Sequence, residues 1–580
     1  MQVAEIRISG FRAVPVCAHV EVLNGTRGRS VRLKWTVDAL RVQLPTGRGR
    51  RPMLSAIMGA NSAGKSTLLL ALHTFFGSAA KLDAALFHDK RADEPVVIEV
   101  TLVGEIEQPN AWHTTHCIPT KKGWALTVAS VWTSEQRLRL VLRQDGLYYR
   151  QTPHDRAEVE KLLPEWRVIW ADRGLNQEAS LERKGLLSDL IDALLLQVDE
   201  GRSVVARMAT LMTELGTLVA RRSDDANLGS EWESIVALEE RLAQGLAAIT
   251  PQPKQVRLHL AAGLPTLRTI FAQSILSIDD GVELELDQHG LGMQRSLVVS
   301  ILRTWCDYVR NDRRDYLFAI EEPEIYLHPH ANRILLNLLE EIAGHDQVLF
   351  TTHASEFVNR TPLTNIITVH RNAGGSRVIQ PKLGQLAPDA LVKVQRYLQE
   401  DRSDMLFARA VILVEGQAEY YALPAFARTL GLDLDAAGIS VVFVNGIGNF
   451  PTYHQILTAF HIPHVILMDG DGQQVARQRS HASMADALFV LPQDFEHLLV
   501  EALNSTRLLA VMNECLARRG RPLRGHLNDP RRRAHELAEL GKPLVGRVAG
   551  ELLTRSEIAQ MAAVVRTLQA ALALAQGGPR

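Results

Sequence analysis

The N-terminal part of the chain alternates between apolar and polar positions in the manner of β-strands. Ile6 and Ile8 flank a polar residue, and a second alternation runs through residues 14–22. A period of two is typical of half-buried strands. Residues 24–52 are rich in glycine and arginine and predict a loop or irregular hairpin, whereas residues 94–150 again predict several strands.

Short, continuous apolar runs predict the buried strands of a parallel sheet. One run covers residues 54–58, and two more cover residues 317–320 and 348–351. A helix from Lys65 through about Phe76 is expected after the first run, and another helix between the other two. This alternation is typical of an α/β domain, in which helices cover a parallel sheet.

The middle of the chain changes to a helical pattern. Between about residues 175 and 249, apolar side chains recur at helical spacing. The residues that set this pattern are Leu186, Leu187, Leu190, Ile191, Leu194 and Leu195. The segment is long enough for a helical hairpin or small bundle, which we expect to mediate dimerisation. Strand-like residues return near 282–286.

A new alternation of strands and helices begins near Arg409 and predicts a second α/β domain. Apolar runs at 410–414 and 464–468 are its buried strands, and an Ala/Leu-rich helix is expected over about residues 557–575. The predicted boundaries are 1–174 and 271–385 for the first α/β domain, 175–270 for a helical insertion, 386–404 for a connector and 405–580 for the second α/β domain.

Composition and charge restrict the class of protein. A chain of 580 residues exceeds a single core, and 46% hydrophobic with 22% charged residues is ordinary for a globular protein. The net charge of −1 requires any nucleic-acid affinity to come from local basic patches. No run of about 18 apolar residues predicts a membrane span. The four cysteines lie far apart, so reduced thiols and a cytoplasmic location are expected.

The clearest chemical motif is a glycine-rich loop between the first buried strand and its helix. In such a loop, backbone N–H groups at the helix start surround phosphates, the lysine neutralises the β- and γ-phosphates, and the following hydroxyl reaches Mg²⁺. The motif therefore predicts that ATP is bound. The residues predicted to bind it are Gly59, Asn61, Gly64, Lys65, Ser66 and Thr67.

Acidic residues end the second buried strand of the first domain. Glu321 can hold Mg²⁺ through water, and Glu322 can polarise the attacking water. His353 follows the third strand, at the edge where the ligands of α/β sheets usually bind. Solvated acids at a strand end and a structural histidine are the alternatives for these positions.

Together these elements resemble the ABC-type ATPase head shared by the structural-maintenance, RecF and OLD (overcoming lysogenisation defect) proteins. Residues 290–295 precede the strand with the paired acids, where that family places its signature motif, and resemble its Gly-Gln-Arg form in OLD-like proteins. The resemblance implies that Gly292 and Gln294 complete the ATP site of a second subunit in a homodimer. An ordinary helix N-terminus is the alternative.

A second set of acids follows the two buried strands of the C-terminal domain. Glu415 comes directly after the first strand, Glu419 lies one helical turn later, and Asp469 and Asp471 follow the second strand. Acids gathered at adjacent strand ends repel one another unless cations lie between them. Ligands that offer only oxygen suit Mg²⁺ or Mn²⁺. Such metals can activate water for phosphodiester cleavage.

The order of these acids resembles a Toprim domain, the metal-binding fold of topoisomerases, primases and some nucleases. Residues 444–450 match the glycine-bearing turn of the OLD form, and residues 491–496 match a further acidic element with Glu496 as the expected ligand. Lys542 stands where OLD nucleases carry a functional lysine, which implies that it stabilises transition-state charge. An exposed surface lysine is the alternative.

The resemblance covers nearly the whole chain and implies an ATP-dependent endonuclease that cuts DNA, in a family associated with defence against phage. Two alternatives stay open: an ATP-gated DNA clamp of RecF type, and an ATP-sensing nuclease that cuts RNA. The motifs also leave open a helicase partner and the direction in which ATP acts on cutting. A DNA backbone track or a solvated surface explains the basic residues Arg518, Arg519, Arg521, Arg524, Arg531, Arg532 and Arg533.

Overall fold

The chain folds into two compact units, which we describe from a computed structural model. The first unit comprises Met1–Val168, Arg314–Glu324 and Leu336–Arg580, and the second comprises Ile169–Arg313 and Ile325–Leu335. The structure describes residues 1–23, 30–36, 40–47, 52–91, 93–171, 186, 277–279, 283–285, 288–308, 314–372, 374–381, 403–470, 486–524 and 530–577.

An antiparallel sheet contains most of the strands in the N-terminal region. These strands are β1 (Gln2–Ser9), β2 (Ala18–Leu23), β3 (Ser30–Trp35), β4 (Leu40–Gln43), β5 (Leu54–Met58), β6 (Val96–Gly104), β7 (Cys117–Thr120), β8 (Gly123–Trp132), β9 (Arg137–Leu142), β10 (Tyr148–Arg150) and β11 (Glu165–Ile169). Within the described residues the sheet order is β2-β3-β10-β9-β8-β6-β1-β4, and β7 pairs with β8. Strands β5 and β11 belong to the next sheet.

A second sheet carries the phosphate loop. Its later strands are β14 (Tyr316–Ile320), β15 (Gln347–Thr351), β16 (Ile366–Asn372) and β17 (Gly375–Ile379). Strands β12 (Ser277–Asp279) and β13 (Glu283–Glu285) pair with each other in a separate two-stranded sheet. The order of the sheet that carries the phosphate loop is β11-β14-β15-β5-β16-β17. Strands β14, β15, β5 and β16 pair in parallel, and β17 returns antiparallel to β16. The carboxyl ends of the parallel strands therefore share one edge, where the phosphate loop begins.

The C-terminal domain contains a fully parallel sheet in the order β19-β18-β20-β21. Its strands are β18 (Ala410–Val414), β19 (Ile439–Phe443), β20 (His464–Met468) and β21 (Ala487–Val490). Every residue of β18 and β20 is buried, as expected for strands that are covered on both faces.

Helices cover both α/β sheets and continue into the second unit. They are α1 (Lys65–Phe76), α2 (Ala111–His116), α3 (Pro153–Leu162), α4 (Leu291–Tyr308), α5 (Pro329–Ala343), α6 (Ser355–Arg360), α7 (Gln417–Leu430), α8 (Leu434–Ala437), α9 (Phe450–Ala459), α10 (Phe495–Ala502), α11 (Ser505–Arg518), α12 (Pro530–Glu539), α13 (Lys542–Leu552), α14 (Arg555–Ala559) and α15 (Ala562–Gln576). No helix in the described ranges is long and apolar enough to cross a membrane.

Two apolar clusters hold the C-terminal sheet in place. One contains residues of α7, α10, α11, α13 and α15 together with Ile412 and Leu467. The other, which we call the shared cluster, lies on the opposite face and includes Leu413, Phe460 and Ile466. The shared cluster also contains Met58 of β5 and Ile366 of β16, so one core serves the phosphate-loop sheet and the C-terminal sheet. The full membership of the shared cluster among buried residues is Met58, Val358, Leu363, Ile366, Met405, Leu406, Val411, Leu413, Val442, Val444, Phe450, Tyr453, Ile456, Leu457, Phe460, Ile462, Ile466 and Met468.

The structure confirms the α/β class and the buried strands, and it corrects two local predictions. Residues 24–52, where a loop or irregular hairpin is expected, contain two sheet strands: β3 pairs with β2 and β10, and β4 forms the sheet edge next to β1. The single helix expected over about residues 557–575 is instead two helices, α14 and α15, with Met561 between them in a non-helical conformation. The helical insertion and the connector lie almost entirely outside the described residues, and their boundaries remain predictions.

Candidate functional site

The phosphate loop takes its shape from glycines that no other residue replaces easily. Gly59 and Gly64 have φ values of 152° and 112°, a region that L side chains rarely adopt. A Cβ atom on Gly59 would lie 2.2 Å from the carbonyl oxygen of Val369. A Cβ atom on Gly64 would lie 2.5 Å from Oγ of Ser376. The close approach of the β16–β17 hairpin therefore requires glycine at both positions.

Lys65 begins α1 with its ammonium group turned inward. Its Nζ donates to the carbonyl oxygens of Gly59 and Ala60, both at 3.2 Å, and lies 2.6 Å from Nε2 of His353. Burial lowers the pKa of Lys65. The negative charges of Glu322, Glu324 and Glu321 act in the opposite direction and raise it. The lysine is therefore a partly desolvated cation, held by backbone carbonyl oxygens that phosphate oxygens can replace.

Glu322 and His353 meet at the carboxyl edge of the sheet. Oε1 of Glu322 lies 3.2 Å from Nε2 of His353, and the backbone N–H of Glu322 donates to Oγ1 of Thr351 at 3.0 Å. Glu322 has a φ of 41°, a left-handed conformation that is strained for a side chain of this size. The structure thus brings Lys65, Glu322 and His353 together. Glu321, beside them, acts on the charge of Lys65.

Glu324 is a residue of this edge that sequence reasoning missed. Its Oε1 accepts hydrogen bonds from Oγ1 of Thr352 at 2.7 Å and from the backbone N–H groups of His353 at 2.8 Å and Ala354 at 3.3 Å. Glu324 therefore fixes the loop that carries His353. The acid follows Pro323 in a run of three glutamates, and nothing in that run distinguishes a positioning acid from a ligand.

A polar cavity of about 630 Å³ opens over the phosphate loop. Three cations that the sequence did not single out face it from different elements: Arg12, Lys90 and Arg371. A cavity of this size and positive charge suits a nucleoside polyphosphate. The predicted residues that line it are Asn61, Gly64, Lys65, Ser66, Thr67, Glu322 and His353.

The signature segment belongs to the second unit. Gln294 is buried, and its Nε2 donates to the carbonyl oxygen of His289 at 2.8 Å. A Cβ atom on Gly292 would lie 2.9 Å from the carbonyl oxygen of Tyr326, so glycine is needed for this contact. Large apolar side chains nearby stay exposed: Leu291 at 45%, Met293 at 40% and Tyr326 at 57%.

The carboxyl edge of the C-terminal sheet gathers the second set of acids. Glu415 follows β18, Asp469 follows β20, and Glu496 lies in the first turn of α10, after β21. Oε2 of Glu415 accepts the backbone N–H of Asp469 at 3.4 Å, which ties adjacent strand ends together. A Cβ atom on Gly416 would lie only 3.1 Å from Oε2 of Glu419, so this glycine leaves room for Glu419, and Cδ of Lys542 lies 4.0 Å from the same point.

Three of these acids are buried and incompletely satisfied. Glu419, Asp469 and Glu496 expose 2%, 7% and 1% of their surface. Oε2 of Glu419, Oδ1 of Asp469 and both carboxylate oxygens of Glu496 have no hydrogen-bond partner. Burial first, and then neighbouring carboxylates, raises the pKa of Asp469 to about 8, and burial raises that of Glu419 to about 7. Unpaired oxygens of this kind fit a hard divalent cation.

Lys542 supplies positive charge next to the acids. Partial burial lowers its pKa, but the carboxylates of Glu496, Asp469 and Glu419 outweigh this effect and raise the pKa above its ordinary value. Lys542 begins α13, 123 positions after Glu419 of α7, so its place here depends on how α13 packs against α7. The geometry favours the functional interpretation of this lysine over an isolated surface lysine.

The remaining acids of the motif differ from one another. Asp494 caps α10: its Oδ1 accepts from the backbone N–H of His497 at 2.7 Å and lies 2.6 Å from Nδ1 of that histidine. Glu496, two residues later, has no such partners, so of the two acids it is the better candidate for a ligand. Gly470 permits the turn, because a Cβ atom there would lie 2.1 Å from the carbonyl oxygen of Leu491. Asp471 lies outside the described residues.

Replacing Gly546 by alanine should disrupt this site from a distance. A Cβ atom on Gly546 would lie 2.1 Å from the carbonyl oxygen of Ala418, where α13 touches α7 backbone to backbone. Separating the helices moves Lys542 away from Glu419, and we expect at least tenfold less cleavage and a loss of about 1–3 kcal/mol of stability. Plasmid cleavage and thermal unfolding measure both effects. The control Gly577→Ala places Cβ 3.6 Å from its nearest neighbours and should change neither.

Because the pKa values of Asp469 and Glu419 are raised, the free energy of unfolding should depend on pH and on bound metal. Because the pKa of Asp469 is about 8 in the fold, the folded chain without metal holds protons that the unfolded chain releases. This contribution to stability is complete below the ordinary pKa of 3.8 and is lost as the pH rises through about 8.

The comparison of wild type with Asp469→Asn isolates this contribution. In EDTA the melting temperature of wild type should fall below that of the variant by a margin that grows from about pH 5 to about pH 8. Mn²⁺ should raise the wild-type value most at the alkaline end, because ionised carboxylates bind the cation. If the difference in melting temperature between wild type and Asp469→Asn were the same at every pH, the raised pKa of Asp469 would be contradicted.

Two of the basic residues in the cluster at 518–533 are neutralised within their own domain. Arg518 pairs with Glu514 at 2.9 Å and Glu551 at 2.5 Å, and Arg524 pairs with Glu536 at 2.5 Å. The structure therefore favours a solvated, self-paired surface over a dedicated DNA track for these two arginines. Arg531 has no described side chain, and Arg521 is exposed.

Two family comparisons identify the domains. Residues 406–471 match the family described as Overcoming lysogenization defect protein-like, TOPRIM domain, and residues 147–358 match the AAA ATPase domain. The first match includes Glu415, Glu419 and Asp469, and the second includes the signature segment and the paired acids after β14.

Individual relatives agree with these matches. The chain is 27% identical over 268 residues to the Old nuclease of Escherichia phage P2, which covers 44% of this chain and 45% of that protein. It is 31% identical over 195 residues to the OLD nuclease of Thermus scotoductus, covering 32% and 36%. The chain therefore spans less than half the length of these curated relatives.

Among solved structures, the C-terminal region of the Xanthomonas campestris pv. campestris OLD protein shares 25% identity over 30% of this chain and 98% of its own, with a TM-score of 0.25. An SMC head bound to the C-winged helix domain of ScpA covers 68% of this chain and 100% of its own, at 12% identity and a TM-score of 0.36. The two domain matches show that the chain joins an AAA ATPase domain to an OLD-like Toprim domain, and its curated relatives include OLD nucleases.

Proposed function

We propose that this chain is an ATP-hydrolysing, divalent-metal-dependent endonuclease that nicks or cleaves DNA, in defence against phage or in DNA processing. The observation that carries the proposal is the group of buried carboxylates beside Lys542, whose unpaired oxygens are described above. Buried carboxylates without partners destabilise a fold, and they are typical of sites that use the charge. A clamp that only binds DNA does not need them.

In the ATPase domain, each residue has a role that its position supports. Lys65 and the backbone of the phosphate loop would neutralise the phosphates of bound ATP, and Ser66 and Glu321 would hold Mg²⁺. Glu322 orients the attacking water, and His353, 3.2 Å from it, contacts the phosphate that is transferred. Glu324 positions the loop of His353.

In the Toprim domain, Glu415, Glu419, Asp469, Asp471 and Glu496 would hold Mg²⁺ or Mn²⁺. A divalent cation bound there activates water and stabilises the charge of the leaving oxygen. Lys542 carries a full positive charge at neutral pH and stabilises the charge that develops on the phosphate under attack. Tyr420 and Tyr421 directly follow Glu419 in the sequence. Their rings pack against each other, with centroids 5.0 Å apart. We therefore prefer water to a tyrosine nucleophile.

Homodimerisation through the signature segment is part of the proposal. Within the second unit, Leu291, Met293 and Tyr326 expose apolar surface close to Gly292. Exposed apolar side chains that cluster in this way favour a protein partner. Gly292 and Gln294 would then complete the ATP site of the second subunit. The insertion at 175–270, of which the structure describes Leu186 alone, is proposed to strengthen the same dimer.

The test is cleavage of supercoiled plasmid with Mg²⁺ or Mn²⁺, with and without ATP, next to an RNA of matched sequence. Nicked or linear DNA that requires metal supports the proposal, and the ATP lanes give the direction of control. Cleavage of RNA alone would favour the ATP-sensing nuclease. ATP turnover and DNA binding without cleavage of either substrate would favour the clamp.

A further inference from the structure

The β16–β17 hairpin forms a wall of the ATP cavity next to the phosphate loop. Arg371, Gly374 and Gly375 of this hairpin line the cavity. Oγ of Ser376 donates to the carbonyl oxygen of Ala63 at 2.6 Å, so the hairpin is fixed to the phosphate loop. The hairpin is therefore placed to respond when the loop takes up a nucleotide.

Arg371 is the cation that this hairpin offers to the cavity. Its side chain is exposed, and Nη1 donates to the carbonyl oxygen of Ser62 at 3.3 Å, a long contact with a neutral acceptor. Phosphate oxygens are stronger, charged acceptors for a guanidinium group, and they bind it in bidentate fashion. A nucleotide in the cavity therefore competes well for Arg371 against the carbonyl oxygen of Ser62.

The strand that carries Arg371 starts in the shared cluster. Ile366, at the beginning of β16, is buried in that cluster with Phe460 and Ile462 of the Toprim domain. The cluster also contains Met58 and Met468, which directly precede Gly59 and Asp469. One packed core thus joins the strand end before the phosphate loop to the strand end before a proposed metal ligand.

His370 precedes Arg371 on β16 and lies close enough to the Toprim domain to be affected by its charges. Burial, and then the nearby His461 of the Toprim domain, lowers the pKa of His370, and its Nε2 is buried without a hydrogen-bond partner. His461 has a φ of 55° and occupies the turn between α9 and β20. Close packing transmits displacements because it leaves no free volume to absorb them.

We propose that Arg371 binds the nucleotide phosphates and that β16 passes the nucleotide state through the shared cluster to α9 and β20 of the Toprim domain. This inference rests on the proposed binding of ATP, and it adds the route by which ATP acts on the second site. It does not require that the Toprim domain cuts DNA.

Hydrogen exchange of the full chain, with and without saturating adenylyl-imidodiphosphate and Mg²⁺, tests the proposal. In wild type, the nucleotide should slow exchange in the phosphate loop, and by at least about threefold in residues 450–468. In Arg371→Met, the phosphate loop should keep its protection at saturating nucleotide, while residues 450–468 lose theirs. Arg371→Lys, which keeps the charge, should restore part of it.

Lys90→Met is the matched control, because it removes a cation of the same cavity that lies outside the hairpin. It should keep the response of residues 450–468 once the nucleotide is saturating. If the phosphate loop responds in wild type but residues 450–468 do not, or if Arg371→Met keeps their full response, the proposed route is wrong. If the phosphate loop does not respond either, the proposed ATP binding fails together with it.

Discussion

Asp469→Asn should lower metal-dependent DNA cleavage by at least about 100-fold while the chain folds as well as wild type. The substitution keeps the volume of the side chain but removes its charge. Since burial and neighbouring acids raise the pKa of Asp469 to about 8, the neutral amide imitates the form that the fold without metal prefers. Gel analysis of nicked and linear plasmid measures cleavage, and thermal unfolding in EDTA checks the fold.

The ATPase activity of the same preparation is the control. Lys65, Glu322 and His353 keep their contacts in Asp469→Asn, so ATP turnover should stay within about twofold of wild type. Normal cleavage by the variant would show that Asp469 does not hold the catalytic metal. Loss of both activities would indicate a general defect in folding rather than the loss of a ligand.

Lys65→Ala should reduce ATP turnover by about 100-fold or more, because it removes the cation that neutralises the transferred phosphate. Phosphate release measures this effect. The carboxylates around Lys542 are untouched, so cleavage in the absence of ATP should keep its wild-type rate and its metal requirement. Any stimulation or inhibition of cleavage by ATP should disappear.

His73→Ala offers a comparison on the same helix, since His73 is in the last turn of α1 and does not line the cavity. Its ATP turnover should stay close to wild type. If Lys65→Ala hydrolysed ATP normally, the assignment of the phosphate loop would be wrong. If Lys65→Ala also lost cleavage in the absence of ATP, the Toprim site would depend on Lys65 even when no ATP is present.

The sequence predicted best what lies at strand ends. Apolar runs mark β5, β14, β18 and β20, and polar residues that follow parallel strands meet at one edge by geometry alone. The positions of Glu322, His353, Glu415 and Asp469 could therefore be predicted from local pattern. The resemblance to OLD proteins added Glu496 and Lys542, whose segments carry no comparable local signal.

What the sequence missed depends on contacts between distant segments. Arg371 faces the ATP cavity because β16 pairs with β5, a strand about 310 positions earlier, and no local pattern encodes that neighbour. Glu324, which follows β14, accepts hydrogen bonds from the loop that follows β15. The self-pairing of Arg518 with Glu551 depends on how α11 and α13 pack, so the cluster of arginines appeared more available to DNA in sequence than in the fold.

The shared cluster also limits how such proteins can be recombined. Met58 and Ile366 are buried against residues of the Toprim domain. If that domain alone were exchanged between relatives, only part of the shared cluster would be replaced. A chimera joined within the connector should expose mismatched apolar surface and aggregate, whereas one that also exchanges the segments around Met58, Val358 and Ile366 should stay folded. Selection on this core therefore acts on both domains together, and they should diverge at matched rates.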